Sequence, residues 1–340
     1  MYRKLIWVKR EEFVWALKLF VKSIGLTLGL WLFLFVLSTW VFSDPEPLAS
    51  ATIDVVSLVM GRVGLLEEKV GLWMAIFALN TVVTVVASTA SALLLLTLPF
   101  EVKDLKYRMA HPTYEKIAKI MDKVGITLLW NPLFHIFKRF NSSFAEIYRS
   151  EPPRNQFQGC WRFCGYSGTG FRNIYYIIPY LIPALIAIVN GIIIGMVLAV
   201  NIFLGAYDGF LIAGLRGLTV GVLLNFLYFL SVILPHGVIE VFAVLTAIAF
   251  GQGFASRYSN TILEQKLLMD HRLEELEKHV KYLVALTKQF LTSKTVLIPL
   301  TLVICLLCIA SYIEVYITPN IAERVLTILR GIWVRSLASS

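Results

Sequence analysis

Residues 210–255 read FLIAGLRGLTVGVLLNFLYFLSVILPHGVIEVFAVLTAIAFGQGFA, and only Arg216, His236 and Glu240 among them have side chains that can carry a charge around neutral pH. Wound as helix at 1.5 Å per residue, the stretch is about 70 Å long. That is more than twice the ~30 Å hydrocarbon core of a bilayer. One crossing cannot use that length. Pro235-His236-Gly237 offers a place to divide it, because proline disfavours helix at the residue before it and suits the first turn of a new one. The expectation is two spans, 210–234 and 237–255, with the helix broken at Pro235 and Gly237.

Outward from this stretch, further apolar runs of crossing length lie at 24–42, 72–99, 174–203 and 295–317. Hydrophobic residues make up 58% of the 340 and charged residues 16%, where a soluble domain carries about 25% charged. A soluble globule has no interior for so much apolar surface. The fold class is all-α, a polytopic transmembrane helix bundle of about six spans. A secreted disulfide scaffold and a disordered regulator are excluded. Cys305 and Cys308 lie in an apolar run and read as packing residues. Cys160 and Cys164 form a CxxxC pair without a second ligand pair, which is weak as a metal signature.

Lysine and arginine orient the spans. Residues 1–22 hold six basic residues and two acids, which puts the N-terminus in the cytoplasm. Residues 43–70 hold five acids against Arg62 and Lys69 and suit the outside. Residues 101–172 hold twelve basic residues against six acids and suit the inside. A turn near Asp208 then lies outside. With six spans the segment 256–294 also falls outside, although it holds seven basic residues and five acids. A five-crossing arrangement puts that segment inside and moves the C-terminus out.

The chain thus divides into a tail with two spans (1–100), a cytoplasmic insertion (101–172), a membrane core (173–322) and a C-terminal tail (323–340). In the insertion Ile117, Ile120, Met121 and Val124 share a helix face. The aromatic stretch 130–137, followed by Lys138 and Arg139, suits a membrane surface. Basic residues near anionic lipid need no nucleic acid to explain them. Within the core, 257–292 reads as an amphipathic helix with Ile262, Met269, Leu273, Leu276, Val280, Leu283 and Phe290 in steps of three and four. That stripe suits a helical partner, a membrane surface or an ordinary connecting helix. Residues 165–170 are glycine-rich and read as a flexible linker, since the P-loop context is missing.

Ionisable residues inside spans mark candidate sites. His236 and Glu240 lie one turn apart on one helix face. Glu314 precedes Ile317-Thr318-Pro319, a second expected helix break, and six spans bring it to the leaflet of His236. Three roles stay open: hydrogen bonding that fixes a helix junction, ion or proton coupling, and metal-dependent chemistry, for which three ligands are the minimum. No metal, cofactor or catalytic residue is expected. Asn190, Gly191 and Gly195, and the small residues Ala243, Ala247 and Gly251, mark close helix packing. Asn80, Asn190 and Asn225 suit bridges between helices.

Leu234-Pro235-His236-Gly237 with Glu240 resembles the signature of the stage II sporulation protein M family. So do Ile313-Glu314 with Ile317-Thr318-Pro319, the segment Asn190–Gly195, and Phe77-Ala78-Leu79-Asn80, in the family's order over about 72–322. The insertion 101–172 replaces what is a short loop in that family. The resemblance implies a multi-pass protein of the cell membrane without catalysis of its own. The namesake is a scaffold that brings peptidoglycan-degrading enzymes to the engulfing septum. The leading expectation is a non-enzymatic scaffold or membrane-remodelling component. Its partners are the lipid bilayer and other membrane or envelope proteins, a second copy of the chain among them, and not nucleic acid. The alternative is an ion- or proton-coupled transporter using His236, Glu240 and Glu314.

Overall fold

The computed structural model describes residues 8–42, 65–140 and 157–338, with Ser50, Asp54 and Ala145. Most of the expected outer loop, and 141–144 and 146–156 of the insertion, lie outside the described residues. Among those described, every regular element is helical. In order they are α1 (Arg10–Phe42), α2 (Leu72–Leu95), α3 (Leu98–Ala110), α4 (Pro112–Gly125), a π-turn (Ile126–Trp130), α5 (Asn131–Phe140) and a 3-10 turn (Gly159–Phe163). A 97-residue helical run, Gly168–Glu264, follows, and then Leu273–Thr292, Lys294–Tyr316 and Thr318–Ala338. Four of these helical segments are long and apolar enough to cross a membrane, the Gly168–Glu264 run being one.

That run is interrupted once. Ala213 (φ −143°, ψ 30°) and Gly214 (φ 58°, ψ −143°) leave helical geometry and divide it into α6 (168–212) and α7 (215–264). Gly214 takes a left-handed φ that a side chain would resist. The turn therefore lies beyond Asp208, which is helical. The expected break at Pro235 and Gly237 is absent: α7 continues through both. The division into 210–234 and 237–255, on which a sixth span rested, goes with it. An interior proline costs about 3 kcal/mol. Opening a helix in hydrocarbon strands several backbone amides and carbonyls at several kcal/mol each. The unbroken helix wins.

The last three helices are α8 (Leu273–Thr292), α9 (Lys294–Tyr316) and α10 (Thr318–Ala338). The chain forms two compact units: Met1–Ser88 with Ala184–Phe250 and Ile298–Ser340, and Thr89–Pro183 with Gly251–Leu297. In the first, α1 packs on α6 where glycine allows it. A Cβ on Gly191 would lie 2.7 Å from the Phe20 carbonyl oxygen, and one on Gly195 2.9 Å from that of Ile24. Phe35 stacks on Phe203 with ring centroids 4.6 Å apart. In the α6–α7 hairpin, Gly209 and Gly217 back onto each other's carbonyls, and Gly205 and Gly221 do the same one turn further on. Ala243 packs with Val303 and Leu307 of α9, and Ala247 is fully buried. Asn190 and Asn225 do not use their amides as expected; each donates to its own helix, to Ile186 and Gly221 respectively.

The second unit has a different core. Trp161 is 2% exposed, and its indole N–H donates to the Asp270 carbonyl at 2.9 Å. The backbone N–H of Cys160 donates to the His271 carbonyl at 2.9 Å. Leu276, Val280 and Leu283 of α8 are buried in the same cluster, with Ile262 of α7. Their stripe is occupied within the unit, and the helix expected over 257–292 is divided: it ends at Glu264 and resumes at Leu273, with Lys266 and Leu268 at positive φ between. Arg108 of α3 donates to Asp104 and reaches both oxygens of Asp122 of α4, whose carboxylate also accepts from the Gly165 amide at 2.8 Å. Ser167 caps α6 by accepting from the Gly170 amide at 3.0 Å. The glycine-rich stretch 165–170 is thus a fixed corner, not a linker: its backbone amides are held by side chains. By contrast, Ile117, Ile120 and Met121 on α4 are exposed, as is Ile136 on α5. Gly251 is buried in this unit.

Three substitutions probe the packing of the two units. Gly217→Leu has to push the Gly209 backbone aside and is expected to cost about 1–3 kcal/mol or more. Gly25→Ala, where nothing lies within 4 Å of the new Cβ, is expected to be neutral or slightly stabilising. Asp122→Ala leaves buried Arg108 with Asp104 alone and the Gly165 amide without its acceptor, and is expected to cost about 1–3 kcal/mol. Thermal unfolding in detergent followed by size exclusion checks all three.

Burial pushes the thiols of Cys160 and Cys164 up to about 11 and about 12. Both stay protonated at pH 8, so maleimide is expected to react slowly until the chain unfolds. Because the unfolded thiol titrates near 9, their share of stability is complete below that pH. It is lost as pH rises toward the folded values.

Candidate functional site

Within the first unit, α7 carries His236 and Glu240 at positions i and i+4, so both project from one face. Glu314 stands in the last turn of α9. The structure brings all three together: one ligand-capable atom from each lies within 4.8 Å of the others. His236 is 6% exposed, while Glu240 and Glu314 are half-buried. No break in α7 is needed for this meeting. The helical repeat alone aligns His236 with Glu240, and the packing of α9 against Ala243 supplies the third group.

Two further residues complete the cluster. The Asn80 side chain of α2 hydrogen-bonds the Glu240 carboxylate. The Thr318 hydroxyl, 4% exposed at the start of α10, lies 3.3 Å from Nδ1 of His236. Pro319 follows as the second residue of that helix, so it does mark a junction between helices. Sequence reasoning took Asn80 as a helix bridge and Thr318 as part of a motif. Each is a polar residue next to an apolar run, which signals that it seeks a polar partner but not which one. Pro235 and Gly237 flank His236 inside continuous helix and break nothing.

Chemically, the site presents an imidazole nitrogen and two carboxylates, with an amide and a hydroxyl behind them. Among the described residues, no lysine or arginine pairs with Glu240 or Glu314. Two carboxylates so close, in an apolar bundle, are stable only with a cation or proton between them. The arrangement suits cation binding or proton exchange equally in its donor types.

The family described as Stage II sporulation protein M matches residues 174–319, the family that the motifs resemble. The matched segment includes His236, Glu240, Glu314 and the Asn190–Gly195 stretch, whereas Phe77–Asn80 lies before it. No curated protein and no solved structure matches the chain.

The partner of Glu240 makes a simple test. Glu240→Gln keeps an acceptor for Asn80, whereas Glu240→Ala leaves the amide unpaired. The alanine variant is expected to be less stable than the glutamine variant by about 1–3 kcal/mol, read as the difference in their unfolding midpoints in detergent.

Proposed function

We propose that the protein is a non-enzymatic scaffold or remodelling component of the cell membrane, recruiting other membrane or envelope proteins. The observation that carries this reading is the match of residues 174–319 to the Stage II sporulation protein M family. The second unit supports it. It is a helical body with its own core, and its α4 and α5 helices present exposed apolar residues beside Lys116, Lys123, Lys138 and Arg139. Such a face suits a membrane surface or a docking helix.

The reading carries a topology of five crossings: α1, α2, α6, α7 and α9. The single turn at Ala213–Gly214 and the unbroken course of α7 support it. So does charge, because residues 1–22, 101–172 and 256–294 then share the cytoplasmic side, as the positive-inside rule favours. The N-terminus is cytoplasmic and α10 lies on the far side. Single cysteines placed in a background without the four native ones check this. Positions 212 and 320 are expected to react with an impermeant maleimide from outside intact cells, and position 265 only after permeabilisation. Outside labelling at 265 would restore the sixth crossing.

For recruitment, a photo-crosslinking amino acid at Ile120 or Met121 is expected to trap a membrane or envelope protein in cells. Crosslinks to lipid alone, at these and at further exposed positions of α4, α5 and α10, would defeat the scaffold reading.

The His236–Glu240–Glu314 cluster favours a second reading, ion- or proton-coupled transport. It predicts gradient-driven flux in proteoliposomes that Glu240→Gln abolishes without unfolding the protein. The scaffold reading expects no such flux.

A further inference from the structure

We propose that His236, Glu240 and Glu314 form a binding site for one divalent transition-metal ion, which clamps α7 to α9. Three independent features of the cluster point there.

The first is geometry. Two ligands one turn apart on one helix, with a third from a neighbouring helix, are the economical way for a helical bundle to converge on a metal. Here the three donor atoms already lie within 4.8 Å of one another. Donors around a tetrahedral zinc at 2.0–2.2 Å stand roughly 3.4 Å apart. Closing to that spacing requires side-chain adjustment only, since α7 and α9 are already in contact through Ala243, Val303 and Leu307.

Charge is the second. Each carboxylate contributes one negative charge, neutral imidazole none, and neither glutamate pairs with a cationic side chain among the described residues. A dication brings the three ligands to net zero, which apolar surroundings demand. A single proton leaves one negative charge behind. Calcium and magnesium take oxygen ligands, and copper(I) takes sulfur. One imidazole with two carboxylates selects zinc, manganese, iron(II) or cobalt(II).

The third feature is the orienting shell. A metal-bound histidine holds its second ring nitrogen on a polar partner, which fixes the ring. Thr318 Oγ1, 3.3 Å from Nδ1, plays that part and assigns Nε2 to the ion. Asn80 holds the Glu240 carboxylate in the same way. These partners come from α2 and α10, so four helices converge on the site. His236 itself is 6% exposed.

The test uses the full-length protein in detergent, stripped with chelator, loaded with one equivalent of Zn²⁺, Mn²⁺, Co²⁺ or Mg²⁺ and desalted. Elemental analysis is expected to find about one zinc, manganese or cobalt per chain and no magnesium. Bound transition metal is expected to raise the unfolding midpoint by several degrees, since it binds only the folded chain. Glu240→Gln with Glu314→Gln is expected to abolish both retention and the shift. Thr318→Val, which touches no proposed ligand bond, is expected to weaken affinity about 10- to 100-fold. A merely structural threonine would lower the midpoint without changing affinity.

Retention below a tenth of an equivalent for every metal would overturn the proposal, as would equal retention by the double variant. If the double variant does not fold, the wild-type Co²⁺ spectrum decides. Visible ligand-field bands that zinc displaces support the site, and their absence overturns it. The readouts are metal content and spectrum, so the result does not depend on partner recruitment.

Discussion

Hydrocarbon offers a polypeptide no hydrogen-bond partners, so each backbone amide and carbonyl within it has to be satisfied by the chain itself. That constraint explains why this sequence forms long uninterrupted helices and why α7 runs past a proline. It extends to the side chains. Ser23, Thr39, Asn190, Asn201 and Thr246 each donate to the carbonyl one turn back in their own helix. A polar group that bonds within its own helix adds little demand on its neighbours. What remains for packing between helices is shape, and shape is set where glycine removes a side chain. Gly191 and Gly195 admit α1 to α6, and the four hairpin glycines admit α6 to α7 at backbone distance.

The same constraint sorts what was legible in the sequence from what was not. Long apolar runs identify helices because little else survives in lipid, and the run expected at 295–317 corresponds closely to Lys294–Tyr316. The run at 24–42 marks only the apolar part of α1, which starts at Arg10 because helix propensity does not stop at the membrane surface. Turns were harder. Pro235 carries a strong local signal for a break, yet breaking there exposes backbone to lipid. Gly214 carries a weak signal, one glycine among many nearby, yet the chain turns there. At Pro235 local preference lost to the satisfaction of the backbone; at Gly214 glycine's freedom at positive φ set the turn. The His-Glu-Glu meeting was legible because charge is rare inside spans. The parts of Asn80 and Thr318 were not, since both come from helices remote in sequence.

The second unit obeys different rules, and its residues show why. A buried arginine fixed by two aspartates, and a tryptophan bonded through its indole to a backbone carbonyl, are devices of a packed core with charged groups at its margin. Its α4 helix keeps Ile117, Ile120 and Met121 outside that core. The glycine-rich corner 165–170 reads as flexible when only composition is considered. It is held because Asp122 and Ser167 accept from its amides. Composition reports what a segment permits; hydrogen bonding decides what it does.

Pro235 acquires a meaning once α7 is seen to continue through it. Proline has no N–H, so the Ser231 carbonyl, one turn earlier, loses its intrahelical donor. The Ser231 hydroxyl does not compensate, since it donates to Tyr228 instead. That carbonyl, more than one turn before His236, is thereby left without its usual i+4 donor. Gly237, on the other side, crowds Ile233 so closely that a Cβ would lie 2.9 Å from its side chain. Proline thus supplies polarity without a charge, and glycine supplies room. The helix remains intact through the turn that presents His236. The resemblance in this short motif is then better understood as the construction of a polar site inside a helix than as a signal to end one.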